Sequence, residues 1–431
     1  MNVIRFGSTH GSPSRYVDLL RDPNITKVLW IAREHDVMVE KVIEVCSDIE
    51  PTLIHKLEVF KFSPPVVVRY IGSIILRLAQ NFPKFSSTFS AVFGGVLSQV
   101  LKKTDFNHIH QKINELDYDF TWSGNNDSDG INVLLWWFRL HCPDMPIVHS
   151  YQEHRCCYRL DEKMAIESAD FLILPSERNM REFERLYSVD LSGRVAFANE
   201  DWRFTGLQEY VASLDVNKLS EIDGEPHVII LSRFAAYAGG IDRRRGSRIN
   251  YIDIIRNFVE KGVHVHLNVL EIVKSIEEKI CEKENPYFEL AKEFPNHFHI
   301  DKALDLDDWG AYRELKSYDA GVLHNFVPGE NVSLFSSMNV PNRLFEYVMC
   351  NVNPILLTGQ MQDAEDLLKS LNFGIIERDY DSIASALVES VNSSLKAGTK
   401  VCENSNKYNF KRYVSVVLDS GRLAKNRRIK S

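Results

Sequence analysis

Short apolar runs alternate with helix-period segments along this chain, and that alternation constrains the fold more than any single motif does. Parallel strands must be joined by crossover connections, usually helices, so repeated strand–helix–strand units predict an α/β architecture with parallel sheets. In the first half the strand pattern falls at 2–6, 27–32, 57–62, 119–123, 146–150, 171–175 and 194–198. Helical patterns separate these strands at 14–21, 37–46, 131–140, 163–169 and 179–186. In the second half strands are expected at 227–232, 264–269, 297–300, 320–324, 354–357 and 374–376. Helices are expected there at 249–261, 273–281, 309–316, 342–350, 364–371 and 382–391. No internal repeat or low-complexity tract breaks the pattern.

A chain of 431 residues, 44% of them apolar, can bury more than one core, and two domains fit its length. The boundary is expected at Asn199-Glu200-Asp201-Trp202-Arg203-Phe204 and the polar stretch that runs on to Pro226. This gives domains at 1–204 and 205–405, leaving 406–431. The formal charge of −8 argues against a general nucleic-acid binder, which needs a basic footprint. Seven cysteines, odd in number and without paired CxxC spacing, fit a reducing compartment without structural zinc. The run Met1 to Phe6 leads straight into a loop at Gly7 and lacks the order of a secretory signal, so a cytoplasmic location is expected.

The longest uncharged stretch, 85–101, holds five Ser or Thr residues and two glycines, too polar for a membrane-spanning helix. Residues 60–103 combine apolar runs with Lys61, Arg69, Arg77, Lys84, Lys102 and Lys103. Two readings stay open for this segment: helices packed on the first domain with a solvated face, or a basic surface resting on anionic lipid. The basic stretch from Arg422 to Lys430 reads as a tail beyond the fold, with the same two readings.

The densest motif is Met338-Asn339-Val340-Pro341-Asn342-Arg343-Leu344-Phe345-Glu346-Tyr347-Val348, followed by Asn353-Pro354-Ile355-Leu356-Leu357. Pro341 suits a first helical turn, whose unpaired N–H groups make a pocket for anions such as a pyrophosphate. Asn342 and Glu346 are four apart and share a helix face. A carboxylate one turn inside such a helix can accept hydrogen bonds from ribose hydroxyls. Equally, Glu346 can pair with Arg343 at i,i+3.

Together with Tyr318-Asp319-Ala320-Gly321-Val322-Leu323 upstream, this motif resembles the donor-site signature of retaining GT-B glycosyltransferases of the family 4-like group. The resemblance covers most of the second domain and, more loosely, residues 117–204. It implies two Rossmann-like domains facing across a cleft, with a final helix returning from 406–431 to the first domain. It also implies a nucleotide-diphosphate sugar as donor substrate, with no cofactor and no metal. In that family the helix glutamate binds the donor ribose, a role that falls to Glu346, with Asn342 and Arg343 beside it. A second glutamate eight residues earlier is common in the family; this chain has Met338 there.

The family also places an arginine just after the first strand of the donor domain and a basic residue before a glycine further on. Arg233 matches the first, and Arg245, ahead of Gly246, the second. Both would neutralise charge that grows on the leaving diphosphate. The neighbours Arg243 and Arg244 read as a solvated cluster. Asn331, in the loop 328–333, is placed near the donor sugar and β-phosphate. On the acceptor side, Glu153 and His154 in His149-Ser150-Tyr151-Gln152-Glu153-His154-Arg155 are candidates to orient sugar and acceptor. His149 and His154 find no third ligand of metal-site spacing. Gly11, in Gly7-Ser8-Thr9-His10-Gly11-Ser12, belongs to a loop where backbone can approach substrate.

No nucleophile elbow or P-loop consensus is present, so hydrolase and kinase readings lack support. The expected activity is transfer of a sugar to a hydroxyl of a glycan, lipid-linked or small-molecule acceptor, in glycan or glycoconjugate biosynthesis. A non-catalytic GT-B partner subunit and a nucleotide-sugar epimerase are the alternatives.

Overall fold

Seven parallel strands form the first sheet: β1 (Asn2–Phe6), β2 (Lys27–Arg33), β3 (Leu57–Phe62), β4 (Phe120–Asn125), β5 (Ile147–Tyr151), β6 (Phe171–Leu174) and β7 (Val195–Phe197). Six form the second: β8 (His227–Ala236), β9 (His264–Val273), β10 (Phe298–Lys302), β11 (Ala320–Val322), β12 (Asn353–Leu357) and β13 (Ile375–Glu377). The structure, a computed structural model, describes residues 1–6, 13–33, 37–62, 111, 113, 117–125, 131–151, 160–199, 205–237, 250–274, 285–323, 334–397 and 410–430. The chain divides into two units, Met1–Thr205 with Asn409–Ser431, and Gly206–Tyr408.

The strand order is β3-β2-β1-β4-β5-β6-β7 in one sheet and β10-β9-β8-β11-β12-β13 in the other. Each sheet grows outward from its first strand and then restarts on that strand's other side, which is the doubly wound Rossmann order. Each therefore has a topological switch point, β1/β4 and β8/β11, outside whose carboxyl ends such folds bind ligands. Every expected strand coincides with an observed one, most ends differing by a residue or two. The largest differences are at β8 and β9, which run on to Ala236 and Val273 because Phe234, Ala235 and Ala236 continue the ladder opposite Glu271, Ile272 and Val273. Val273 thus ends a strand instead of starting a helix, and the rest of that expected helix lies outside the described residues.

Helices cover the sheets through apolar faces. In the first unit Ile4, Phe6, Leu29, Ile31, Phe138, Leu172 and Phe183 share one buried cluster. Two helices lie in the stretch expected to be a polar connection, Thr205–Ser213 and Ser220–Asp223. A further helix, Pro286–Glu293, starts where the Asn285 side chain accepts the Tyr287 N–H and Pro286 occupies the first turn.

The last helix, Phe410–Lys430, belongs to the first unit and corrects the expectation of a free basic tail. The Phe410 ring packs at a tilt against Tyr16, and the Tyr413 ring against Trp122. Ala424 is fully buried, and a Cβ on Gly421 would come within 2.6 Å of the Phe120 ring, so small residues allow close approach to the sheet. Lys425 pairs with Asp119 at 2.8 Å and Arg428 with Asp170 at 2.7 Å. Deleting 422–431 is therefore expected to lower the thermal unfolding midpoint by several degrees. An unchanged midpoint would mean that these final turns add nothing to the fold.

Candidate functional site

The helix Asn342–Met349 packs against β8 at Leu231 and against the end of β11 at Val322. Pro341 caps it from an extended conformation, one position ahead of the first turn, and Leu344 N–H closes that turn onto the Pro341 carbonyl at 2.9 Å. Leu344, Phe345, Tyr347 and Val348 are buried while Asn342 stays exposed at the helix start. The Tyr347 ring lies directly over Gly321 of β11, where a Cβ would meet it at 2.4 Å, and its hydroxyl donates to the Val322 carbonyl at 3.4 Å. From the helix start, the Arg343 guanidinium donates to the Leu231 carbonyl of β8. Side chains of this one helix thus reach both strands of the switch point.

Glu346 is 5% exposed. Its Oε2 accepts the Tyr312 hydroxyl at 2.9 Å. Met338, at the position of the family's other glutamate, is 6% exposed and filled by apolar side chain. Arg233 lies inside β8, not in the loop after it, because the strand is longer than expected. It is exposed, with its guanidinium 5.2 Å from the Phe234 ring. Next to it, Ser232 Oγ receives the Tyr251 hydroxyl at 3.2 Å. Arg233, Asn342, Arg343 and Glu346 therefore sit in one unit, on β8 and the helix bound to it. Gly11, Glu153, His154, Arg243, Arg244, Arg245 and Asn331 lie outside the described residues, as does most of 60–103.

The first unit has a buried polar layer towards the carboxyl ends of β1, β4 and β5. Arg5 is fully buried, its guanidinium 4.1 Å from the Trp122 ring and donating to the Phe6 carbonyl at 2.7 Å. A side chain at Gly124 would strike that guanidinium at 2.7 Å. His149 is fully buried and its Nδ1 is hydrogen-bonded to Ser123 Oγ. Burial, aided by the nearby Arg5 charge, pushes its pKa down to about 3, so the imidazole is neutral near pH 7. The expected stretch 149–155 thus begins inside β5, with His149 a core group. Arg5 is the residue here that pattern reading passed over, although a charge inside an apolar strand is a visible signal.

A second polar cluster lies at the opposite, amino ends of β8, β9 and β10. His227, His264, His266, His297 and His299 stack with centroid separations of 4.3 to 5.8 Å beside Asp223, Glu225 and Asp301. The signal for it was present as His-x-His in His264–His266 and His297–His299, since alternate residues of a strand point to one face.

No protein-family model matches the chain, and no curated protein does. Solved structures do. The chain is similar to Anabaena HepE in complex with UDP at TM-score 0.51 and 11% identity, over 100% of both chains. HepE in complex with UDP and glucose gives TM-score 0.49 and 11% identity, again over 100% of both chains. A glycosyltransferase from Rickettsia africae ESF-5 gives 0.48 and 10%, over 100% of this chain and 97% of that one. The fold is GT-B. Its two doubly wound units, with sheets of seven and six parallel strands, are those of that class. Among the described residues, no helix is long and apolar enough to cross a membrane.

Proposed function

We propose that the chain is a glycosyltransferase that binds a nucleotide-diphosphate sugar at the carboxyl ends of β8 and β11 and moves the sugar to an acceptor hydroxyl. The observation that carries this is the Asn342–Met349 helix: its N-terminus stands at the switch point, Arg343 ties it to Leu231, and Glu346 sits one turn in. The N–H groups of the first turn suit a diphosphate. The Glu346 carboxylate, with Oε2 anchored by Tyr312, is held in place to receive ribose hydroxyls. The UDP in the HepE complex and the resemblance of the Pro341–Tyr347 motif support the same reading.

In the transfer, the bond from the anomeric carbon to the β-phosphate oxygen breaks as the acceptor oxygen bonds to that carbon. Charge gathers on the departing diphosphate, and Arg233 and Arg245 stabilise it most in the transition state. With retention, attack comes from the leaving-group face and the departing phosphate accepts the acceptor's proton. Glu153 and His154 order sugar and acceptor. The acceptor is a glycan, a lipid-linked sugar or a small molecule, and the reaction needs no metal.

The buried Met338, in place of a sugar-facing carboxylate, favours one second reading, a protein that binds the donor without turnover. Incubation with a panel of nucleotide sugars and acceptors separates the two. Acceptor-dependent release of nucleoside diphosphate supports transfer. Binding without release across the panel favours the second reading, and isomer formation without acceptor would make the protein an epimerase.

A further inference from the structure

We propose that the amino-end histidine cluster of the second sheet is a binding site for one divalent transition-metal ion of the zinc type, held by Asp223, His227 and His264, with Glu225 beside His264 at its edge. The groups Asp223–His227–His264 and Glu225–His264–His297 each gather three ligand atoms within 4.8 Å of one another, and they share His264.

Hydrogen counting leaves one gap that a metal ion can fill. Asp223 Oδ2 lies 2.9 Å from His227 Nε2, His227 Nδ1 lies 3.0 Å from His266 Nε2, and His266 Nδ1 lies 2.9 Å from Asp301 Oδ2. The chain has a carboxylate at each end and three short gaps. Two neutral imidazoles supply only two N–H groups, because each has one donor and one acceptor nitrogen. One gap therefore brings lone pair against lone pair unless a third proton or a metal ion fills it. A metal at the Asp223 end resolves this. His227 Nδ1–H then donates to His266, and His266 Nδ1–H donates to Asp301. The other nitrogen of the metal-bound imidazole is then held by His266, which Asp301 orients in turn.

Distances and access agree. His264 Nε2 lies 2.6 Å from Glu225 Oε2 and 3.9 Å from Asp223 Oδ2, and His297 Nε2 lies 3.5 Å from Glu225 Oε2. In a tetrahedral shell with metal–ligand bonds of about 2.0–2.1 Å, neighbouring ligand atoms are about 3.3 Å apart. Asp223 Oδ2 lies 2.9 Å from His227 Nε2 and 3.9 Å from His264 Nε2, on either side of that value. The imidazoles are shielded, while the Asp223 and Glu225 side chains are 40% and 48% exposed and leave an entry from solvent. Nitrogen and oxygen donors without thiolate suit Zn²⁺ and Co²⁺. The ligands come from the segment before β8 and from the first residues of β8 and β9, so the ion's role is to tie these together.

The test uses the full-length chain, freed of metal with chelator and titrated with Zn²⁺ by calorimetry and with Co²⁺ by visible absorption. One equivalent is expected to bind, with the absorption of four-coordinate Co²⁺ and a rise in the thermal midpoint. Asp223→Asn with Glu225→Gln changes only exposed carboxylates and keeps the fold; affinity should drop at least tenfold. His264→Gln should drop it as far, whereas His299→Gln, in the same stack but outside the ligand set, should leave it unchanged. No binding by the wild-type chain, or equal binding by the wild type and the Asp223/Glu225 double variant, overturns the site.

Discussion

Arg233→Ala is expected to lower turnover by about 10²- to 10³-fold with a smaller change in the donor Michaelis constant, since a positioned donor to developing charge contributes that much. The side chain is exposed on β8 within a few residues of Leu231, whose carbonyl holds Arg343. The loss should fall on turnover because charge on the leaving diphosphate exceeds that on the bound donor. Arg243→Ala, in the run read as solvated, should change little. Steady-state kinetics of both variants check this, and equal losses would reduce Arg233 to general electrostatic attraction.

Gly321→Val is expected to destabilise the second unit and to weaken donor binding with it. The first added carbon already meets the Tyr347 ring at 2.4 Å, and Tyr347 is fully buried with no room to retreat. Overpacking of this kind costs about 1–3 kcal/mol. For a unit of this size that is a fall of about 6–12 °C in thermal midpoint at the upper end. The clash acts through one partner, so Gly321→Val should cost less in a Tyr347→Leu background. The same cost in both backgrounds would place the strain elsewhere.

How far these features were legible follows from residue pattern. The strands were legible because runs such as Val228–Leu231 and Ile355–Leu357 are apolar on both faces and bounded by turns. The end of β8 was not, because Ser232 and Arg233 interrupt its apolar run while Ala235 and Ala236 restore burial beyond them. That hidden extension is why Arg233 was placed in a loop. The basic end of the chain looked like a tail because charge dominates it; only Gly421 and Ala424, two small residues a turn apart, mark the packed face. Glu346 was recognisable from its motif, yet its anchor Tyr312 lies 34 residues away and no local pattern joins them. Cysteine spacing speaks only to thiolate metal sites, and the histidine cluster assembles from three strands.

Calorimetric titration of the wild-type chain and Glu346→Gln with UDP, GDP and ADP tests whether Glu346 holds a nucleotide. Glutamine keeps an acceptor for the Tyr312 hydroxyl but removes the charge, so binding should suffer more than folding. Saturable binding of at least one nucleoside diphosphate is expected for the wild type. In the variant, affinity should be weaker by about tenfold, or about 1.4 kcal/mol, because charge-assisted hydrogen bonds become neutral ones. No binding by the wild type, or equal affinity in the two proteins, would contradict the nucleotide site built around the Asn342–Met349 helix.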